Sequence, residues 1–190
     1  MSEPVRITLP DDLDTLRGLR AGTQVLLTGP VFTARDATHA RLAAELERDG
    51  ALPYGLKGAV LFYAGPTPEA AGRPVGSVGP TTAKRMDAWT PALLAAGIVA
   101  TIGKGARSDA VRAACVTHKA VYLAAVGGAA ALLATKVVSA TPVAYADLGT
   151  EALVRMELKE FLAWVAIDAN GNDLYAEARG GLTHGEEGER

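Results

Sequence analysis

Short β-branched and aliphatic runs alternate with Ala-rich stretches of helical period along this chain, a pattern that predicts a mixed α/β domain. The runs Val5–Leu9, Thr23–Thr28, Ala59–Tyr63, Ile98–Ile102, Ala120–Val126 and Lys136–Ala140 read as strands. Two more, Leu153–Leu158 and Trp164–Ile167, precede a turn at Asn170-Gly171-Asn172, where Gly accepts positive φ cheaply. Helices are predicted over Ala34–Arg48, Thr82–Asp87, Pro91–Ala96, Ser108–Lys119 and Gly128–Ala134. Pro91 suits the first turn of a new helix and not the middle of one, so the stretch from Thr82 to Ala96 should break near Thr90. Between Tyr63 and Thr81 the Gly- and Pro-rich segment from Ala64 to Pro80 reads as a long ordered loop, a type that is usually functional.

Composition narrows the function classes. A chain of 190 residues, 49% hydrophobic, is long enough for one domain with a real core. Its formal net charge of -2 and lack of a basic run argue against nucleic acid as a partner. No apolar stretch reaches the roughly 20 residues a membrane span needs. The opening MSEPVRITLPDDLDTL is acidic and broken by Pro, unlike a signal peptide, so cytoplasm is the expected compartment. Cys115 is the single cysteine, and one thiol cannot hold a metal cluster alone. The tail over residues 180–190, GGLTHGEEGER, is polar and Gly-rich and is expected to be flexible.

Three predicted strand-to-helix junctions each carry a cation. In Thr28-Gly29-Pro30-Val31-Phe32-Thr33-Ala34-Arg35-Asp36 a strand is expected to end at the Gly-Pro turn. Thr33 and Asp36 then resemble a capping box that puts Arg35 in the first helical turn. Helix N-termini favour anions, so Arg35 either recruits an anion there or pairs with Asp36 or a neighbouring carboxylate. In Gly76-Ser77-Val78-Gly79-Pro80-Thr81-Thr82-Ala83-Lys84-Arg85, Thr81 or Thr82 is a candidate N-cap with Arg85 on the same face. Gly76 and Gly79 would let a ligand approach the backbone. The third, Ile102-Gly103-Lys104-Gly105-Ala106-Arg107-Ser108, fails the phosphate-loop pattern. Gly97 is one residue too far away and Gly105 stands where a Ser or Thr would meet magnesium, so Lys104 reads as a point charge for a small anion. Together Arg35, Arg85 and Lys104 could match the two carboxylates of a small diacid plus one developing charge.

The runs Thr33-Ala34-Arg35-Asp36-Ala37-Thr38-His39, Ala64-Gly65-Pro66, Val78-Gly79-Pro80-Thr81-Thr82 with Arg85-Met86, Ile102-Gly103-Lys104-Gly105 and Ile167-Asp168-Ala169-Asn170-Gly171-Asn172 occur in this order in a known family. The chain resembles, from about Val5 to Tyr175, the β subunit or C-terminal domain of class I iron–sulfur fumarases and L(+)-tartrate dehydratases. The resemblance implies a single swivelling β/β/α domain over residues 1–179. It also implies hydro-lyase chemistry on a 2-hydroxy dicarboxylate, malate to fumarate or tartrate to oxaloacetate. The implied cofactor is a 4Fe–4S cluster carried by a partner α subunit and not by this chain, in an α2β2 hetero-oligomer. By the same resemblance, substrate contacts fall on Arg35, Thr82, Arg85 and Lys104, the base on Thr81, and a second catalytic candidate on His39. The family usually reads Gly-Met-Glu or Gly-Met-Pro-Glu where this chain has Gly149-Thr150-Glu151, and has Pro or Gly-Pro where Leu162 stands; both departures are expected to lie away from the anion loops.

Plainer readings stand beside these. A lone His in a helix is more often structural than catalytic. Cys115 reads as a small buried hydrophobe. Asp168 and Asp173 read as turn-makers, the Gly127-Gly128 pair as room for close helix packing, and Trp89 and Trp164 as core or interface residues. Two functional readings stay open: the hydro-lyase subunit, and a non-catalytic dicarboxylate-binding or assembly module of the same fold.

Overall fold

The structure, a computed structural model, describes residues 3–70 and 72–183. Seven strands are β1 (Val5–Thr8), β2 (Gln24–Thr33), β3 (Val60–Phe62), β4 (Ala100–Gly103), β5 (Val121–Ala124), β6 (Val137–Ala144) and β7 (Leu153–Ile167). Six α-helices are α1 (Leu13–Gly18), α2 (Asp36–Asp49), α3 (Thr90–Ala95), α4 (Asp109–His118), α5 (Ala130–Ala134) and α6 (Leu174–Thr183). Single turns of 3-10 helix cover Ala83–Met86 and, with a kink at Gly149, Ala146–Glu151. The break expected near Thr90 is present: the 3-10 turn ends at Met86 and α3 opens at Thr90 with Pro91 in its first turn.

The sheet order β1-β2-β3-β4-β5-β7-β6, with a further β2–β7 pairing, closes β2, β3, β4, β5 and β7 into a small five-stranded barrel. β1 and β6 flank it. Two departures from the expected elements make the closure possible. β2 does not stop at Gly29-Pro30 but continues to Thr33, its side chains alternating between buried and half-buried throughout. Its pairing with β1 ends where Thr8 faces Thr28 and β3 joins only at Phe32, so Pro30, which has no N–H, falls in the gap between them. The predicted strands Leu153–Leu158 and Trp164–Ile167 are one strand, β7, interrupted by a bulge where Glu160 takes φ 51. On the edge away from β2, the part of β7 before the bulge pairs with β6 and its far end with β5. A bulge bends and twists a strand, and here it lets one strand serve both sides of the closure.

Two apolar clusters follow. Val25, Leu27, Val31, Phe62, Ile102, Leu123, Phe161 and Val165 belong to the first, with Phe62 and Phe161 meeting edge to face at 5.4 Å. Leu42, Leu61, Tyr63, Met86, Leu93, Val111, Cys115 and Tyr122 form the second, where helices cover the sheet. α6 was not foreseen. It continues through Gly180 to Thr183, so the first residues of the segment expected to be flexible are helical, and residues 184–190 lie outside the described part. Among the described residues no helix is long and apolar enough to cross a membrane.

Because β2, β3, β4 and β5 are parallel, their carboxyl ends at Thr33, Phe62, Gly103 and Ala124 share one end of the barrel. Ligands of α/β sheets commonly bind at that end.

Candidate active site

The β2–α2 junction differs from its expected form. Thr33 is the last residue of β2, and its hydroxyl donates to the Ala152 carbonyl at 3.2 Å and accepts from the Val154 N–H at 3.2 Å, so it caps no helix. Arg35, in extended conformation, occupies the N-cap position, and α2 begins at Asp36. The capping oxygen comes from far along the chain: Glu151 Oε2 accepts from the Ala37 N–H at 2.9 Å. Glu151 Oε1 also lies 3.3 Å from Arg35 Nη2, while Asp36 is 4.0 Å from the same nitrogen. Gly149-Thr150-Glu151 therefore abuts the first anion loop, contrary to the sequence expectation. The reason is that β7 begins directly after it and pairs with β2, which delivers this segment to the start of α2.

The long loop is pinned at its base. Thr67 N–H donates to the Ser77 carbonyl at 3.0 Å and Ser77 N–H to the Thr67 hydroxyl at 2.8 Å. Gly76 and Gly79 make room for protein and not for a ligand. A Cβ on Gly76 would sit 2.7 Å from Thr67 Oγ1, and one on Gly79 3.1 Å from Ala130 Cβ. Beyond Pro80 the chain runs alongside the end of β4. Thr81 N–H donates to the Tyr63 carbonyl at 2.6 Å, Lys104 N–H to the Thr81 carbonyl at 3.2 Å, and Ala83 N–H to the Lys104 carbonyl at 2.9 Å. Thr82 and Lys104 thus form an isolated parallel bridge. Both threonines are held through their backbones. Neither hydroxyl makes a hydrogen bond among the described residues, and Thr82, at the N-cap of the 3-10 turn, gives no side-chain cap.

Arg85, carried by that 3-10 turn, reaches Asp36. Its Nε donates to Oδ1 at 3.0 Å and its Nη2 lies 2.7 Å from Oδ2. Asp36 therefore stands between the two arginines of the site. Lys104 leans over Gly127, where a Cβ would come within 3.2 Å of its Cδ; Gly127 serves this passage and not helix packing. The Gly105 peptide beside it is fixed by two phenols, the Gly105 N–H donating to Tyr175 at 3.1 Å and the Tyr122 hydroxyl donating to the Gly105 carbonyl at 2.8 Å.

Sequence reasoning passed over Arg107, three residues beyond Lys104. Its side chain is fully enclosed, pairs with Asp87 at 2.6 Å, donates to Thr90 Oγ1 at 2.8 Å and lies over the rings of Tyr63 and Tyr122. Burial works against its charge, but Tyr63 and Asp87 hold its pKa above the ordinary value. Arg107 anchors the Lys104 loop to the helical layer. Lys104 and Arg107 share one loop with opposite fates, and no local signal in the sequence separates them.

His39 lies in α2 below the surface, 0% exposed, its ring edge-on to Tyr63 at 5.0 Å. Nδ1–H donates to the Arg35 carbonyl at 2.9 Å, which leaves Nε2 a buried acceptor with no partner among the described residues. Burial lowers its pKa to about 4, and nearby Arg107 adds to this. A folded-state value below the unfolded one means that the unfolded chain binds the extra proton first. Stability is full above about pH 6.5 and declines toward pH 4, by about 3 kcal/mol for a shift of this size. His39→Asn keeps a donor to the Arg35 carbonyl and removes the titration. Melting curves should show a flatter fall between pH 6.5 and 4 than wild type; parallel falls would contradict the buried neutral imidazole.

Cys115 is buried in α4, and burial pushes its thiol up to about 11. Among the described residues no group of three or more His, Cys, Asp and Glu is placed to hold a metal ion. Asp168 and Asp173 are turn-makers as expected. Burial raises the Asp168 pKa, but the Asn172 side chain and the N–H groups of Ala21, Asn170 and Asn172 hold it below the ordinary range. Asp173 caps α6 by accepting from the N–H groups of Tyr175 and Ala176.

The five loop residues thus emerge from one end of the barrel. Arg35 and Arg85 meet through Asp36, while Thr81, Thr82 and Lys104 share a backbone ladder, with His39 enclosed beneath. The architecture is that of a mixed α/β domain with a small closed barrel and a cationic strand end. The sequence profile described as Fumarase C-terminus matches residues 1–178. The chain belongs to that family. It is 36% identical over 178 residues to fumarate hydratase 2 of Leishmania major, and 39% over 155 residues to the anaerobic class I fumarate hydratase of Escherichia coli K12. Those alignments cover 90% and 80% of this chain but only 31% and 28% of the relatives, so the chain spans under a third of their length. The L(+)-tartrate dehydratase subunit beta of Escherichia coli K12 is 36% identical over 176 residues, covering 90% of this chain and 86% of that subunit.

Proposed function

We propose that this chain is the substrate-gripping subunit of a two-chain hydro-lyase that reversibly removes water from a 2-hydroxy dicarboxylate. The observation that carries the reading is the strand end where Arg35 and Arg85 meet at Asp36 and where the Lys104 backbone pairs with Thr81 and Thr82, whose hydroxyls have no partner among the described residues. Arg85 and Arg35 take a substrate carboxylate, Thr82 donates to it, Lys104 faces the charge that develops as the carbon-bound proton leaves, and Thr81 receives that proton. A threonine hydroxyl is a poor base on its own; adjacent cations favour its alkoxide. His39 is the second catalytic candidate, through its bare Nε2.

Arg85 already holds Asp36, and magnitude decides whether that blocks the substrate. The Arg85 side chain is 52% exposed, and exposed pairs contribute only about 0.2–1 kcal/mol. An incoming carboxylate meets the same guanidinium, and its charge-assisted bond reaches about 1.5–3 kcal/mol in the proposed assembly, where the partner covers the site and solvent screening falls.

An iron–sulfur cluster does not fit this chain, whose single thiol is buried and held protonated. In the proposed enzyme a partner α chain carries the 4Fe–4S cluster, in a cytoplasmic α2β2 assembly, and this chain's domain fills residues 1–179. The relative named as a beta subunit supports a chain of this kind working with a partner. The alternative, a non-catalytic dicarboxylate-binding or assembly module, accounts for the arginine–carboxylate pairs but gives the two unbonded hydroxyls no task. The test is co-expression with a cluster-bearing partner, followed by turnover assays on malate, fumarate and tartrate. Turnover that requires both chains supports the reading, and a fully loaded complex inert toward every 2-hydroxy dicarboxylate would sink it.

A further inference from the structure

We infer that Glu151 is a positioning residue that holds the Arg35 guanidinium in its substrate-binding orientation, which makes the Gly149–Glu151 segment a hidden third wall of the site. The inference rests on the dicarboxylate reading above and goes beyond it, since Glu151 lies in none of the three cationic loops.

Three contacts of Glu151 converge. Glu151 Oε1 is 3.3 Å from Arg35 Nη2, whereas Asp36 is 4.0 Å from the same nitrogen and is also engaged by Arg85. Glu151 Oε2 accepts from the Ala37 N–H at 2.9 Å, and its backbone carbonyl accepts from the Thr38 hydroxyl, so side chain and main chain both clasp the first turn of α2. On the other side Gly65 leaves no slack. A Cβ there would stand 3.1 Å from Arg35 Nη1 and 2.8 Å from the Thr150 carbonyl. Arg35 therefore runs in a slot whose one side is Gly65 and whose other is the Glu151 carboxylate. Arg35 Nε is buried without a partner among the described residues, so the terminal nitrogens alone fix the guanidinium. A cation at a helix N-terminus is unfavourable without a negative partner, and Glu151 supplies one that touches both the helix amide and the cation. Without that charge the fork is free to rotate, and preorganisation for a carboxylate is lost.

The test uses Glu151→Gln, Arg35→Lys and the double variant in the assembled two-chain enzyme at equal iron content. Gln keeps an oxygen for the Ala37 N–H and removes the negative charge that faces Arg35. The expected result for Glu151→Gln is a KM raised about tenfold with kcat within about threefold and Tm within about 4 °C of wild type. Because Glu151 acts through Arg35, the double variant should have a KM within about twofold of Arg35→Lys alone. A KM unchanged in Glu151→Gln, or single effects that multiply in the double variant, overturns the inference. So does a large fall in Tm with unaltered kinetics, which would make Glu151 a helix cap and nothing more. Should Glu151→Gln fail to fold, Glu151→Asp, whose carboxylate keeps its charge but falls short of Arg35, is judged by the same KM criterion. A wild-type enzyme without activity on any dicarboxylate is a different failure: it removes the functional reading, and this inference with it.

Discussion

Thr81→Val in the assembled enzyme lowers kcat by about a hundredfold or more and leaves KM within about twofold. Valine matches threonine in shape, so the backbone bonds from Thr81 to Tyr63 and Lys104 survive and the loop keeps its place. Only the hydroxyl goes. A group that touches the reacting proton acts in the transition state and not in the ground state, which is why the loss appears in kcat. Iron content must match between the two enzymes. Turnover within a few-fold of wild type would take the base role from Thr81 and pass it to His39 or to a partner residue.

Arg85→Lys raises KM by about ten- to a hundredfold, corresponding to the loss of one charge-assisted bond of about 1.5–3 kcal/mol. Lysine keeps the charge but not the fork, and a carboxylate is gripped by two parallel N–H donors. The Asp36 pair changes the reading of this variant. Arg85 uses Nε and Nη2 on Asp36, so lysine also loosens the carboxylate that separates the two arginines. Steady-state kinetics on the same dicarboxylate checks it. An unchanged KM would mean that Arg85 serves Asp36 alone and that the substrate carboxylate sits elsewhere.

The parts of this molecule legible in the sequence are the local ones. β-branched runs, Pro91 and the Asn170-Gly171-Asn172 turn act over a few residues, and they placed most of the strands, the break before α3 and the turn before α6. Arg35, Thr81, Thr82, Arg85 and Lys104 were legible as candidates because each lies at or near the end of a parallel strand or of the loop that follows one. What was hidden depends on pairing between distant segments. The barrel closes through β2 and β7, more than a hundred residues apart, by way of a bulge at Glu160 that propensity does not announce. The same pairing carries Glu151 to Arg35, which is why a segment expected to be remote forms part of the site. Gly76, Gly79 and Gly127 misled for a related reason. Small residues mark close approach, and whether the visitor is a ligand, a loop or the Lys104 stem depends on the fold.

The central claim is that this strand end binds and deprotonates a dicarboxylate while a partner chain holds the cluster. One measurement reaches it most directly: turnover of malate, fumarate and tartrate by this chain, by the cluster-bearing partner, and by both together, with iron assayed in each. The account predicts no iron and no turnover for this chain alone, and activity on a 2-hydroxy dicarboxylate only when both are present. Full activity of the partner without this chain, or a loaded complex inert toward all three, would contradict it.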